Sequence, residues 1–110
     1  MLYVLNTLMI PVDFETKEKY TVYLTQITPQ IAKELLEEKE FVSAIGHEAT
    51  AKVLSDLLGI NIPYNRIAVK LRAGDSGIHF VLKTRLPEGK ILTEEELKTI
   101  EFTLVLSTVL

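Results

Sequence analysis

Apolar and polar positions change their period several times along the chain, and each change marks an element. Residues 2–8, Leu-Tyr-Val-Leu-Asn-Thr-Leu, are a short apolar run rich in strand formers, followed by Pro11 and the polar stretch 13–19. They are expected to form a buried first strand, with a loop or hairpin excursion after it. Residues 20–27 alternate, Val22 and Leu24 on one face and Tyr23 and Thr25 on the other, which is the period of a second strand. Thr28-Pro29 then signals a helix start: the Thr hydroxyl accepts a bond from an early helical amide, and Pro suits the first helical position. Ile31, Leu35 and Leu36 supply that helix's apolar stripe, and Glu37-Glu38-Lys39-Glu40 reads as its solvated end.

Ala49, Val53, Leu54, Leu57 and Leu58 recur at helical spacing, so a second helix is expected from about His47 to Leu58, stopped by Gly59 in the left-handed conformation. Residues 67–71 and 78–83 alternate as strands on either side of the turn formers Arg72-Ala73-Gly74-Asp75-Ser76-Gly77, which predicts a hairpin. Thr93 and Glu96 have capping-box spacing, so a short helix should run to about Ile100 before a closing strand over Phe102–Val109. The resulting order is β, β, α, α, β, β, α, β, with no internal repeat, low-complexity segment or linker. The expectation is one α/β domain over residues 1–110, built on a mixed β-sheet flanked by helices.

Composition narrows this picture. A chain of 110 residues has room for one domain and buries only about two-thirds of its unfolded surface. A mean hydropathy of +0.22 on so small a body makes a homodimer the expected state. There is no cysteine, which removes disulfides, thiolate metal sites and cysteine nucleophiles. Neither a basic segment ahead of the first apolar run nor a stretch near the ~20 apolar residues of a membrane span is present, so a cytoplasmic protein with no membrane partner is expected. A net charge of −3 argues against a surface that binds nucleic acid throughout, so DNA is an unlikely partner, although a local basic pocket is compatible.

Candidate chemistry concentrates in Ser43-Ala44-Ile45-Gly46-His47-Glu48, where an apolar approach turns into a helix. Free amides at a helix start favour anions, Gly46 lets a phosphate come close to the backbone, and His47 offers an imidazole that exchanges protons near neutral pH. A histidine at such a place is commonly only a cap or a surface residue. Arg85-Leu86-Pro87-Glu88-Gly89-Lys90 is a polar loop just after a strand, either an ordinary Pro-Glu-Gly turn or a source of pocket groups in Arg85 and Glu88. Arg66, after Pro63-Tyr64-Asn65, stands where it meets a phosphate or pairs with a surface acid. His79 and Asp75 read as structural. No His/Asp/Glu spacing suits a metal, and the P-loop, dinucleotide-binding and nucleophile-elbow motifs are missing.

Leu2-Tyr3-Val4-Leu5-Asn6, Ser43-Ala44-Ile45-Gly46-His47-Glu48-Ala49-Thr50, Asn65-Arg66-Ile67-Ala68-Val69-Lys70 and Arg85-Leu86-Pro87-Glu88-Gly89-Lys90, in this order, resemble the viral type III anti-CRISPR ring nucleases over roughly residues 2–92. The resemblance implies an α/β homodimer, in the host cytoplasm if virally encoded, that binds cyclic tetra-adenylate across the dimer interface. It implies cleavage to linear di-adenylate with a 2′,3′-cyclic phosphate, without a metal or other cofactor, which silences type III CRISPR signalling. Carried over by residue, His47 resembles the general acid and Glu88 the carboxylate that orients or tunes it. Arg66 and Arg85 resemble phosphate or ligand contacts, and Asn6, Thr7 and the Ile45-Gly46 backbone parts of the ligand cradle. Some relatives carry Ser a few positions after the first-strand Asn, where this chain has Thr7-Leu8-Met9-Ile10-Pro11. The alternative is a non-catalytic dimeric module that binds cyclic oligoadenylate or DNA; an interaction protein that blocks a partner is a third reading.

Overall fold

Parallel pairing of the first strand organises the molecule. The computed structural model describes residues 1–83 and 93–110. Its elements are β1 (Leu2–Leu5), β2 (Val22–Ile27), α1 (Pro29–Glu38), β3 (Phe41–Ser43), α2 (Glu48–Leu58), β4 (Ser76–Leu82), α3 (Glu94–Thr99) and β5 (Phe102–Val109). They form a single α/β domain around one five-stranded mixed sheet of order β2-β5-β4-β1-β3. β1 lies parallel to both of its neighbours, with Val4 opposite Ser43 on β3 and Ile78 on β4. β5 pairs antiparallel with β4 and with β2.

Local signals explain the helices. The Thr28 hydroxyl accepts from the Ile31 amide and Pro29 opens α1. α3 carries the full reciprocal capping box between Thr93 and Glu96. α2 ends at Gly59, whose φ of 69° is the left-handed cap that a side chain would strain. The apolar sides of these helices cover one face of the sheet: Ala32 and Leu36 of α1 and Ala51, Leu54 and Leu58 of α2 join Val4, Ile78, Phe80 and Leu104 in the main core, with Leu97 packed against it. Leu5, Leu71 and Val109 are buried apart from that cluster, on the side where the segment after β1 crosses the sheet and Val12 bridges Leu71. No helix among the described residues is long and apolar enough to cross a membrane.

The expected hairpin between residues 67–71 and 78–83 does not form. β4 is a central strand whose two edges are taken by β1 and β5, so no edge remains for 67–71. The turn formers serve another junction: Gly74, at φ 96°, and Asp75 exchange backbone bonds with Val109 at the end of β5. Residues 67–70 are consequently irregular and mostly exposed, and only Leu71 pairs, with Val12. β1 stops at Leu5 instead of continuing to residue 8, because the chain bends over the sheet at Asn6. β3, only three residues long, replaces what reads in the sequence as an apolar approach to α2.

Gly77 is the second residue of β4, where a Cβ would stand 2.8 Å from both His79 Nε2 and Ser107 Oγ and 3.2 Å from Leu5 Cδ1. Replacing Gly77 by Ala is therefore expected to destabilise the fold by about 1–3 kcal/mol, the usual cost of overpacking a core. Urea denaturation checks this, and a variant as stable as the parent would contradict the packing. Removing the α1 cap with Thr28→Ala should cost about 1 kcal/mol in the same measurement.

Candidate functional site

Strands that run parallel end at the same edge of a sheet, and in this chain that edge collects the candidate residues. β1 delivers Asn6 and Thr7 there, and β3 delivers Ala44 to His47. The Ala44 amide still donates to the Val4 carbonyl at 2.7 Å, so the two exits leave side by side. β4, also parallel to β1, ends at Leu82 on the same edge. Arg85 and Glu88, which follow it in sequence, lie outside the described residues. Ligands of open α/β sheets commonly bind beyond the carboxyl ends of parallel strands, because loops and helix starts converge there.

The start of α2 carries the positive end of its helix dipole beside His47. His47 is the N-cap in extended conformation, but its side chain makes no bond to the helix amides. Its carbonyl accepts from the Ala51 amide at 3.1 Å, while the first-turn amides at Glu48, Ala49 and Thr50 carry the positive end of the helix dipole. The half-buried imidazole is instead steadied by Thr50, whose Oγ1 lies 3.3 Å from Nδ1. A hydroxyl both donates and accepts, so this contact holds with Nδ1 bare or protonated and leaves Nε2 for an outside partner. Thr50 stands three residues after the cap, a spacing at which a Ser or Thr can reach it; the sequence reading passed over that signal.

Arg66 reaches the same place by a different route. The segment before it runs beside the end of β3: Tyr64 bridges Ile45, the Asn65 amide donates to the Ile45 carbonyl at 2.9 Å, and Asn65 Nδ2 donates to the Ser43 carbonyl at 2.8 Å. Ser43 Oγ in turn donates to the Pro63 carbonyl and accepts from the Ile45 amide. Ile45 therefore has its backbone groups engaged and its side chain fully buried, and it serves as the floor beneath Gly46. Arg66 lies across that glycine, since a Cβ at residue 46 would stand 3.3 Å from Arg66 Cγ. No acid among the described residues pairs with the exposed Arg66 guanidinium. The structure thus packs the Arg66 stem against Gly46, the residue before His47, and sets Asn6 and Thr7 on the neighbouring strand end.

Two polar clusters hold the chain after β1. Asp13, buried, accepts from Arg72 Nε and from the Glu15 amide, each at 3.0 Å. The Arg72 guanidinium lowers the Asp13 carboxyl below its ordinary range, against desolvation that raises it, and Asp13 raises Arg72 in return. His79, fully buried in β4, bonds through Nδ1 to the Thr7 carbonyl and through Nε2 to Ser107 Oγ, both at 2.8 Å. Burial pushes His79 below the ordinary histidine value of 6.5, only partly opposed by the Thr7 carbonyl. Among the described residues no three His, Asp or Glu side chains converge as donors for a metal ion.

The fold and this edge define a class: single-domain α/β proteins whose five-stranded mixed sheet brings a helix start, a histidine and an arginine with no acid partner among the described residues to the ends of its parallel strands. The STIV B116-like family model matches residues 2–104, and the chain belongs to that family. It is 45% identical over 103 residues to uncharacterized protein 26 of Sulfolobus islandicus filamentous virus (isolate Iceland/Hveragerdi), covering 93% of this chain and 86% of that one. It is 41% identical over 107 residues to uncharacterized protein ORF117 of Acidianus two-tailed virus, covering 94% and 89%. Among solved structures it is similar to B116 of Sulfolobus turreted icosahedral virus, with a TM-score of 0.79, 26% identity and 97% of each chain covered. These relatives are all viral.

The buried state of His79 makes stability depend on pH. Its folded pKa lies below its unfolded value, so the unfolded chain binds the proton more readily. The stabilisation is complete above about pH 6.5 and is lost as pH falls through the folded value. In denaturation series between pH 7.5 and 5, the stability difference between wild type and the non-titrating His79→Gln variant should shrink as the solution is acidified. A difference that stays constant across that range would contradict the assignment.

Proposed function

We propose that this chain is a metal-independent ring nuclease that opens cyclic tetra-adenylate and so counters type III CRISPR signalling. The observation that supports this most is the meeting at one sheet edge of the α2 helix start, the His47 imidazole and Arg66, which no acid among the described residues pairs, beside the Asn6-Thr7 strand end. A phosphodiester attacked by its own ribose needs positioning, charge stabilisation and a proton for the leaving oxygen. First-turn amides and Arg66 supply the charge stabilisation, and Gly46 lets the Arg66 stem lie close to the backbone. Asn6 and Thr7 form the opposite wall.

In the proposed reaction the 2′-oxygen of one adenosine forms a bond to the adjacent phosphorus and its proton passes to water. The bond from phosphorus to the 5′-oxygen breaks, and His47 Nε2 gives that oxygen its proton. Scission at two opposite linkages leaves two linear di-adenylates, each ending in a 2′,3′-cyclic phosphate. Thr50 keeps the imidazole in place through both charge states. Glu88 would orient or tune His47, and Arg85 would join Arg66 on the phosphates.

A four-fold ring is wide for the shallow edge of one protomer, and a homodimer would close it from the other side. Exposed apolar side chains beside the candidate residues, Leu8 and Met9 after Thr7 and Ile67 after Arg66, support such an interface. A mass measurement by light scattering should return a dimer.

Purified protein incubated with cyclic tetra-adenylate and excess chelator, beside His47→Ala and a linear oligoadenylate control, tests the reading. Linear di-adenylate with a 2′,3′-cyclic phosphate is expected from the wild type. The variant should bind the ring with similar affinity and cleave it about 10²–10⁴-fold more slowly. Binding without cleavage by the wild type would make the protein a sensor or sponge for the ring, and neither binding nor cleavage would overturn the proposal.

A further inference from the structure

The chemistry proposed above leaves a second histidine without a task. His79 has no solvent exposure, and neither does Ser107, which faces it from β5. Between them lies Gly77, opposite Ser107 in the strand register, where any Cβ would stand 2.8 Å from both polar atoms. Three positions on two central strands are thus committed to one buried hydrogen bond. Apolar residues at 79 and 107 and Ala at 77 would fill the same face without burying polar groups, so the arrangement costs desolvation and, at Gly77, chain entropy. Its product is a directed donor. A carbonyl only accepts, so the bond to Thr7 requires a proton on Nδ1, and the neutral ring then accepts at Nε2 from the Ser107 hydroxyl at 2.8 Å, in preference to the Gly77 carbonyl, which lies 3.4 Å from the same hydroxyl.

That donor acts on the corner where β1 leaves the sheet. Thr7, Leu8 and Met9 are exposed, so side-chain packing does not hold them down. The Thr7 carbonyl, 2.8 Å from Nδ1, ties the corner to the sheet before the chain reaches the Val12–Leu71 bridge. We infer that His79 is a positioning residue: held by Ser107 as the Nδ1–H tautomer, it fixes the Thr7 carbonyl and with it the Asn6-Thr7 wall of the ring-binding edge. The inference rests on the proposed function for what the wall binds, and on the geometry alone for the clamp. His79 touches no reacting atom. Its effect belongs to ligand affinity, because a wall that must be ordered at the moment of binding adds an entropic cost to association.

The test compares His79→Asn, whose amide nitrogen stands near the place of Nδ1, with His79→Gln, whose amide nitrogen stands near Nε2. Two-bond nitrogen–proton NMR of the wild type should show His79 as the neutral Nδ1–H tautomer. Backbone ¹⁵N relaxation at Asn6–Met9 should show order parameters near ~0.85 in the wild type and below ~0.6 in His79→Gln, with His79→Asn restored towards the wild type. In a His47→Ala background the dissociation constant for cyclic tetra-adenylate should rise about tenfold for His79→Gln and recover for His79→Asn, as expected for a change in preorganisation. Single-turnover cleavage at saturating ring, with His47 intact, should stay within about threefold, since only binding is affected.

Asn6–Met9 equally rigid in wild type and His79→Gln, or an Nε2–H tautomer in the wild type, would overturn the inference. Equal affinity loss in the Asn and Gln variants would do the same. If His79→Gln does not fold, Ser107→Ala replaces it: without the Ser107 hydroxyl the ring loses its hold at Nε2 and the same residues should loosen, and unchanged order at Asn6–Met9 would count against the clamp. If the wild type binds no ring, the proposed function fails, while tautomer and relaxation still decide whether His79 holds the corner.

Discussion

Everything at the candidate site depends on β1 being sandwiched in parallel between β3 and β4. A parallel pair cannot be joined by a tight turn, so the chain must return over the sheet between strands, and each strand then discharges at one common edge. That constraint sets Asn6 beside Ala44, starts α2 at the place where β1 ends, and brings β4 to the same edge. The helices that make the return journeys also supply the core on one face, so burial of Leu36, Leu54 and Phe80 and the placement of His47 come from one arrangement. An antiparallel partner for β1 would have moved one of these exits to the far end of the sheet.

Around that frame the polar residues divide into those that build and those left available. Ser43 and Asn65 use their side chains on backbone groups of the β3 end and the 63–65 segment, and the result is Arg66 laid over Gly46 with its guanidinium free of any described acid. Thr50 steadies His47 without occupying Nε2. Asp13 and Arg72 pin the long excursion after β1, and Asp75 pairs with the N-terminal ammonium at 3.1 Å. Exposed pairs such as Lys52–Asp56 contribute little to stability by comparison.

How much of this was legible in the sequence depended on range. Helix ends were readable because their signals are local: Thr28 before Pro29, Thr93 three residues before Glu96 and Gly59 after Leu58 all act where they stand. β5 lies over the residues expected for the closing strand. β3 was missed because three residues carry too little periodicity, and its existence depends on pairing with Leu2 to Val4 some forty positions earlier. The hairpin expected before β4 failed for the complementary reason: residues 67–71 alternate well, but β1 and β5 take both edges of β4. At the site, Gly46-His47 was visible as a helix entry, whereas the tasks of Asn65, Thr50 and His79 follow from neighbours that only the fold supplies. The one hint at His79 was Gly77 two residues earlier on the same strand face, since a glycine inside a strand often marks a close approach.

Under the proposed function, the carboxyl edge of the parallel strands is where a cyclic oligoadenylate would bind. Backbone ¹H–¹⁵N NMR of a His47→Ala protein, titrated with cyclic tetra-adenylate, reads that edge directly. Shifts are expected at Asn6 and Thr7, at Gly46 through Thr50, and at Asn65 and Arg66, with little change around Pro11, Tyr20 and Gly74 at the opposite end of the sheet. Shifts centred on that opposite end, or none at saturating ring, would contradict that placement.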